Sequence, residues 1–187
     1  MGRCAGFCGL GGNIAWGQGM TAAVLLDTSF LISLVDKNRL HHSIAAQYYR
    51  LMLEQQSPMY FSAIVAAEIA IGQPITDLPL KNFRPIPFNI PHSIESARLW
   101  NALDRDSGDD RAVARDDIKL IAQAAHESIP FILTEDAKTL YKYCERLKKA
   151  GVLRVRAIKL VDGFDSSALR EDGQIGLGLN QSATDAE

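Results

Sequence analysis

Four carboxylates in this sequence stand where an ionised group is hard to place. Glu68 lies within SAIVAAEIAIG, a stretch apolar on nearly every side of a helix. Burying an isolated carboxylate there costs several kcal/mol unless a partner or a cation offsets it. Asp27 follows the apolar run VLL directly and precedes Thr28 and Ser29. Asp117 opens DIKLIAQAAH, where Leu120, Ile121 and Ala124 recur at helical spacing and share its face. Asp136 closes FILTED just after Thr134, and Leu140, Tyr143 or Cys144, and Leu147 continue its stripe.

Each acid has a plainer reading when taken alone. Asp27 and Asp136 are good helix caps. Glu68 could face solvent or pair with an arginine. Asp116 shares its face with Lys119, Leu120 and Gln123 and reads as a surface or helix-start charge. A one-residue slip in helix phase would exchange Asp116 with Asp117, so the third acid stays open between them.

Taken together, the four fall at strand ends or on inward helix faces. Like charges held close repel, so such a cluster needs protons or cations. Oxygen-only ligation suits Mg²⁺ or Mn²⁺, and no histidine or cysteine competes. An ion held by carboxylates and water suits phosphodiester hydrolysis. It lowers the pKa of a bound water and offsets charge on the pentavalent phosphorane.

The elements that must position these acids alternate. Ala23 to Leu26, Met59 to Phe61, Pro130 to Leu133 and Leu153 to Leu160 read as strands, with a short one within Phe83 to Phe88. Helical spacing covers Thr28 to Val35, His41 to Gln56, Ala63 to Ile71, Ser93 to Leu103, Asp117 to Glu127 and Asp136 to Ala150. Ser62 is placed to cap the third of these and Gly72 to end it. Gln73 to Pro87, with four prolines, reads mostly as loop, and DRDSGDDRAVARDD as a charged segment flexible at Gly108. Strands alternating with helices predict an α/β fold with a mostly parallel sheet covered on both faces. The functional crevice of such a sheet lies beyond the carboxyl ends of its strands. Asp27, Ser62 and Thr134 should face it.

Both ends differ from this body. Residues 1–19, MGRCAGFCGLGGNIAWGQG, are too interrupted by glycine for a secretory signal. They read as a disordered leader, a vector scar or an over-extended start, with an ordinary protein beginning at Met20. Residues 163–187 read as a polar acidic tail, disordered or loosely attached. No run approaches the ~18 apolar residues that span a bilayer. The three cysteines form no C-x-x-C pair, which excludes a disulfide framework and a zinc site and makes a reducing cytoplasm the expected compartment.

The segments LLDTSFLI, SAIVAAEIAIG, RDDIKLIAQAA and ILTED, in that order, resemble those of the PIN-domain ribonucleases. In size the chain looks like the VapC toxins of bacterial toxin–antitoxin pairs. The resemblance covers roughly Thr21 to Leu160. It implies a three-layer α/β/α sandwich over residues 20–162, with an acidic pocket for one or two Mg²⁺ or Mn²⁺ ions and cleavage of RNA. Carried over by position, Asp27, Glu68, Asp117 and Asp136 would hold the metal, and Ser29 and Thr134 would orient ligands or the metal-bound water. The attacking group would be water, with no covalent nucleophile. A homodimer and, for a toxin, an antitoxin partner are also implied. The segment Gln73 to Asp110 is longer than in small members, and the tail after Asp162 has no counterpart.

Three rivals fit less well. A phosphatase with an aspartyl intermediate wants a second Asp where Ser29 stands. A Rossmann nucleotide binder wants a glycine-rich turn where Asp27-Thr28-Ser29-Phe30 stands. A PIN-like RNA-binding or scaffolding domain with an inactive site shows no sign of itself, since all four acids are present. His41, His42 and His126 read as surface, cap or dipole residues, and Tyr48 and Trp100 as core or oligomer face.

Charge supplies the last constraint. A formal net charge of −2 and a pI near 6.1 argue against a nucleic-acid partner. Yet residues 1–19 and 162–187 hold two of the 20 basic residues and six of the 22 acidic ones. The body is left with 18 basic and 16 acidic residues, four of them in the acidic pocket. The rest is a mildly basic surface compatible with RNA, on which Lys37, Arg39, Arg111, Arg115 and Lys119 could meet phosphates.

Overall fold

The computed structural model describes residues 22–108 and 110–170. The expected leader, with Cys4 and Cys8, and residues 171–187 of the expected tail lie outside these.

Five parallel strands form one sheet in the order β3-β2-β1-β4-β5. They are β1 (Val24–Leu26), β2 (Met59–Ser62), β3 (Phe83–Ile86), β4 (Phe131–Thr134) and β5 (Arg156–Lys159). The central strand β1 is wholly buried, as its unbroken apolar run requires when both faces and both edges are covered. Leu26 pairs with Phe61 on one side and Leu133 on the other. Pro85 is tolerated in β3 because that strand lies at an edge, where one side of the backbone needs no ladder partner.

The helices are α1 (Thr28–Val35), α2 (His42–Glu54), α3 (Ala63–Gly72), α4 (Ile90–Ala102), α5 (Arg111–His126) and α6 (Leu140–Lys149). The first three pack together, as do the last three. With the right-handed crossovers that parallel strands adopt, this strand order puts one group on each face, a three-layer sandwich. The order of strands reverses direction between β1 and β4, so the crevice opens beyond the ends of those two strands. Tyr48, Phe30, Leu25, Ile118, Ile121, Ile132 and Tyr143 are among the largest fully buried side chains of the core.

Several boundaries differ from those the sequence predicts. Helix α4 begins at Ile90, ahead of Ser93, because Asn89 and His92 close a capping box around Pro91. Helix α5 begins at Arg111, with Asp110 accepting the N–H of Ala112 at 2.7 Å. The charged segment before Asp117 is therefore its first turns. Helix α6 starts at Leu140, later than Asp136, because the Asp136 carboxylate holds the preceding residues in a turn. Strand β5 starts at Arg156, later than Leu153.

Residues 163–170 are also packed, where a loose tail is the sequence expectation. Phe164 meets the Tyr48 ring edge-on at 5.0 Å, Leu169 is buried, and Tyr48 donates to the Gly163 carbonyl at 3.3 Å. Among the described residues no helix is long and apolar enough to cross a membrane.

Candidate metal centre

Strand β1 delivers Asp27 to the crevice. Its peptide N–H still donates to the Leu133 carbonyl at 3.1 Å, so the sheet ladder fixes its backbone. Asp27 stands at the N-cap position of α1 but makes no full side-chain capping hydrogen bond. Instead Oδ2 accepts the Ser29 hydroxyl at 2.5 Å and the Thr134 hydroxyl at 2.8 Å. Ser29 Oγ in turn accepts the N–H of Glu135 at 2.8 Å, and Thr134 Oγ1 accepts that of Asp136 at 2.9 Å. The segment after β4 is thereby fastened to Asp27. Burial raises the pKa of the Asp27 carboxyl, and the two hydroxyls work against that rise.

Asp136 is anchored at both oxygens. Oδ1 accepts the N–H groups of Lys138 at 2.6 Å and Thr139 at 3.0 Å, and Oδ2 accepts the Thr139 hydroxyl. Burial acts to raise this carboxyl, but the hydrogen bonds from Thr139, Lys138 and Leu140 outweigh it and hold the pKa below the ordinary value.

Helix α5 separates the two adjacent aspartates. Asp116 turns outward and pairs with Lys119 at 2.7 Å. Asp117 turns inward, where its side chain meets the Thr139 hydroxyl. Its Oδ2 is buried with no hydrogen-bond partner among the described residues. Burial pushes the carboxyl up to about 7, helped by the charges of Asp136, Asp27 and Glu68 and opposed by Thr139. Glu68 lies on the exposed side of α3, where the Thr28 hydroxyl donates to Oε2.

The structure thus gathers all six residues singled out from the sequence: Asp27, Glu68, Asp117, Asp136, Ser29 and Thr134. It adds Thr28 and Thr139, which hold Glu68 and Asp136. Thr139 stands three residues after Asp136, the spacing of a capping pair, and that was its one signal in the sequence. It also adds Glu135, which accepts from Ser33 at 2.9 Å and pairs with Arg39 at 2.8 Å beside the crevice.

The donor set fits a hard divalent cation. It is built of carboxylates and hydroxyls, it brings like charges together, and it leaves one buried carboxylate oxygen unpartnered. Among the described residues, the one set of three ligand atoms within 4.8 Å of one another lies elsewhere, at His92, His126 and Glu127. Among the four acids no three ligand atoms lie within 4.8 Å of one another.

The histidine set is ill suited to a metal. His92 Nδ1 accepts the N–H of Asn89 at 3.1 Å, which assigns the ring proton to Nε2. That proton points at Glu127, 2.7 Å away, and leaves Nε2 without a lone pair to give.

The PIN domain family model matches residues 24–146, a span that holds all four acids. Two solved structures share the fold. One is VapBC2 from Rickettsia felis bound to a DNA fragment from its promoter. It has a TM-score of 0.50 and 15% identity, covering 72% of this chain and 98% of that one. The other is DNA-bound VapBC from Salmonella typhimurium, with a TM-score of 0.51 and 15% identity, covering 74% and 98%. A comparison with curated proteins gives no match.

Proposed function

This chain belongs to the PIN-domain family, and from that premise we propose that it is a Mg²⁺- or Mn²⁺-dependent endoribonuclease that hydrolyses RNA phosphodiester bonds. The observation that carries the reading is the buried, unpartnered Oδ2 of Asp117 among three further carboxylates. Such an oxygen leaves a desolvation penalty unmet unless a proton or a cation meets it, and above about pH 7 the proton is gone.

Asp27, Glu68, Asp117 and Asp136 would hold one or two ions. A bound Mg²⁺ or Mn²⁺ would supply Lewis acidity toward a water and a phosphate oxygen. The chain's own contribution is positioning. Ser29 and Thr134 aim Asp27 and fix the backbone that carries Asp136. Thr139 holds Asp136 against Asp117. Thr28 steadies Glu68 at the mouth of the crevice.

The fold shared with VapBC proteins supports a role as the toxin of a toxin–antitoxin pair, with a small antitoxin as partner. A homodimer is part of the same reading. Helix α3 is apolar nearly all round yet buries only Val65 and Ile69, leaving Ile71 90% exposed.

The deciding experiment compares parent and Asp27→Asn for cleavage of single-stranded RNA with Mg²⁺, with Mn²⁺ and with a chelator. Cleavage that needs the metal and is lost in the variant supports the reading. A parent that binds RNA without cutting it points to the inactive scaffold instead. A variant as fast as the parent removes the metal centre from the account.

A further inference from the structure

A second cavity-forming region lies at the other ends of the strands. A space of about 730 Å³ opens where β4 and β5 begin, walled in part by Pro130 and Val155. Four residues of β4, about 10 Å at the usual rise, separate this end from Thr134.

The wall is strongly basic. Arg98, Lys148, Arg154, Arg156 and Arg170 line it against one carboxylate, Glu95. Arg98 neutralises Glu95 through two contacts, at 2.8 and 2.6 Å. Arg156 donates to the carbonyls of Ala168 and Arg170 and lies 4.8 Å from the Phe131 ring centroid. Asp165 attracts Arg156 and Arg170, and its Oδ1 accepts the N–H and hydroxyl of Ser167. Arg154 and Arg170 are exposed, and among the described residues no hydrogen bond or ion pair holds either guanidinium.

Helix α6 joins this region to the acids. It begins beside Thr139, which holds Asp136, and ends with Lys148 on the cavity wall. Its ten residues span about 15 Å. Its inward face is Leu140, Tyr143, Cys144 and Leu147, which leaves Lys142, Arg146, Lys148 and Lys149 on the outer side, where Asp106 pairs with Lys142 and Arg146 and Glu145 with Lys148.

We propose that the cavity is an exosite for the phosphodiester backbone of single-stranded RNA, reached from the acid centre along α6. The proposal rests on the ribonuclease reading and adds where the strand goes. Base recognition is not what this surface offers. Phe131 is 2% exposed and covered by Arg156, so no aromatic ring is open for a base to stack on. Exposed guanidinium groups instead grip phosphates, and they hold any sequence equally.

The test uses the full chain and a labelled single-stranded RNA of about twelve nucleotides, long enough to pass both sites. Affinity is measured in chelator, where no cleavage occurs, across a range of salt. For Arg154→Ala combined with Arg170→Ala, affinity is expected to fall about tenfold. The slope of log K against log salt should shrink by about 1.4, two phosphates at about 0.7 each. Cleavage of a dinucleotide should be unchanged, while KM for the long RNA rises. Lysine at both positions should restore most of the affinity.

Unchanged affinity and salt slope, in a parent that binds and cuts RNA, overturn the exosite and leave the ribonuclease reading standing. So does an equal loss on the dinucleotide, which would mean general damage. A parent that neither binds nor cuts RNA overturns both.

Discussion

Ser29 and Thr134 place their hydroxyls 3.2 Å apart, and both give their protons to the same oxygen of Asp27. Each hydroxyl also accepts a backbone N–H from the segment leading to Asp136. One small network therefore sets the attitude of two acids. Thr134→Val keeps the shape and removes the donor. It is expected to lower stability by about 1–3 kcal/mol, the cost of an unmet buried polar group. Mn²⁺ affinity and RNA cleavage should fall about 10- to 100-fold, as for other residues that orient metal ligands. Urea unfolding and calorimetric Mn²⁺ titration measure the two effects, and unchanged stability would show that the network contributes nothing.

Asp117 gives the metal-free protein an unusual pH response. Its carboxyl titrates near 7 in the folded state against an ordinary value of 3.8. Between those values the folded chain holds a proton that the unfolded chain has lost. Stability from this group is therefore complete below about pH 4 and declines as pH rises to about 7, by on the order of 4 kcal/mol. Asp27, also raised, acts in the same sense. Asp136 is lowered, so its contribution is lost only in acid and does not disturb this window. Thermal melts in chelator should show a less stable protein at pH 8 than at pH 5. Asp117→Asn should remove most of that difference and stabilise the metal-free protein at pH 8. A melting temperature that rises steadily from pH 5 to 8 would contradict the assignment.

Divalent cation should reverse this loss. Mn²⁺ at about 100 times its dissociation constant adds about 2.7 kcal/mol to a protein that binds it only when folded. The gain should be larger at pH 8 than at pH 5, since protons compete for the same carboxylates. Chelator should return the melt to its starting value. Equal shifts at both pH values would place the ion elsewhere.

Glu68 differs from the other three acids in being exposed. Glu68→Gln should leave metal-free stability within about 0.5 kcal/mol of the parent, as for most surface changes. It should still weaken Mn²⁺ binding and cleavage. Full activity in this variant would leave Glu68 as an ordinary surface residue tied to Thr28.

Cys144 is fully buried on α6, and burial pushes its thiol far up from the usual range. In the native protein it should not react with an aromatic disulfide reagent on the timescale of minutes. Under denaturant the rate should rise in step with unfolding. Rapid labelling of native Cys144 would show that α6 opens locally.

The acids were legible because each broke a local pattern. Glu68 interrupts an apolar helix, and Asp27 and Asp136 end apolar strands. The helix phase that favoured Asp117 over Asp116 agrees with the structure, where Asp116 pairs with Lys119 at the surface. Less visible were residues that act through tertiary contact. Thr28 follows Asp27 directly, yet nothing local says that its hydroxyl meets Glu68, 40 residues on. Helix starts were misplaced where polar side chains, not apolar spacing, set them, as at Asn89, Asp110 and Asp136. The packing of Phe164 and Leu169 was hidden by the polar residues around them.

The middle strand of the sheet is also the first one made. During synthesis Asp27 leaves the ribosome 107 residues ahead of the Thr134 hydroxyl that orients it. Until β4 emerges, β1 lacks a neighbour on one side, the crevice has only one wall, and Asp136 has not been translated. A chain still being made cannot assemble its acids. Any chemistry that needs the assembled acids must wait until most of the chain has been made.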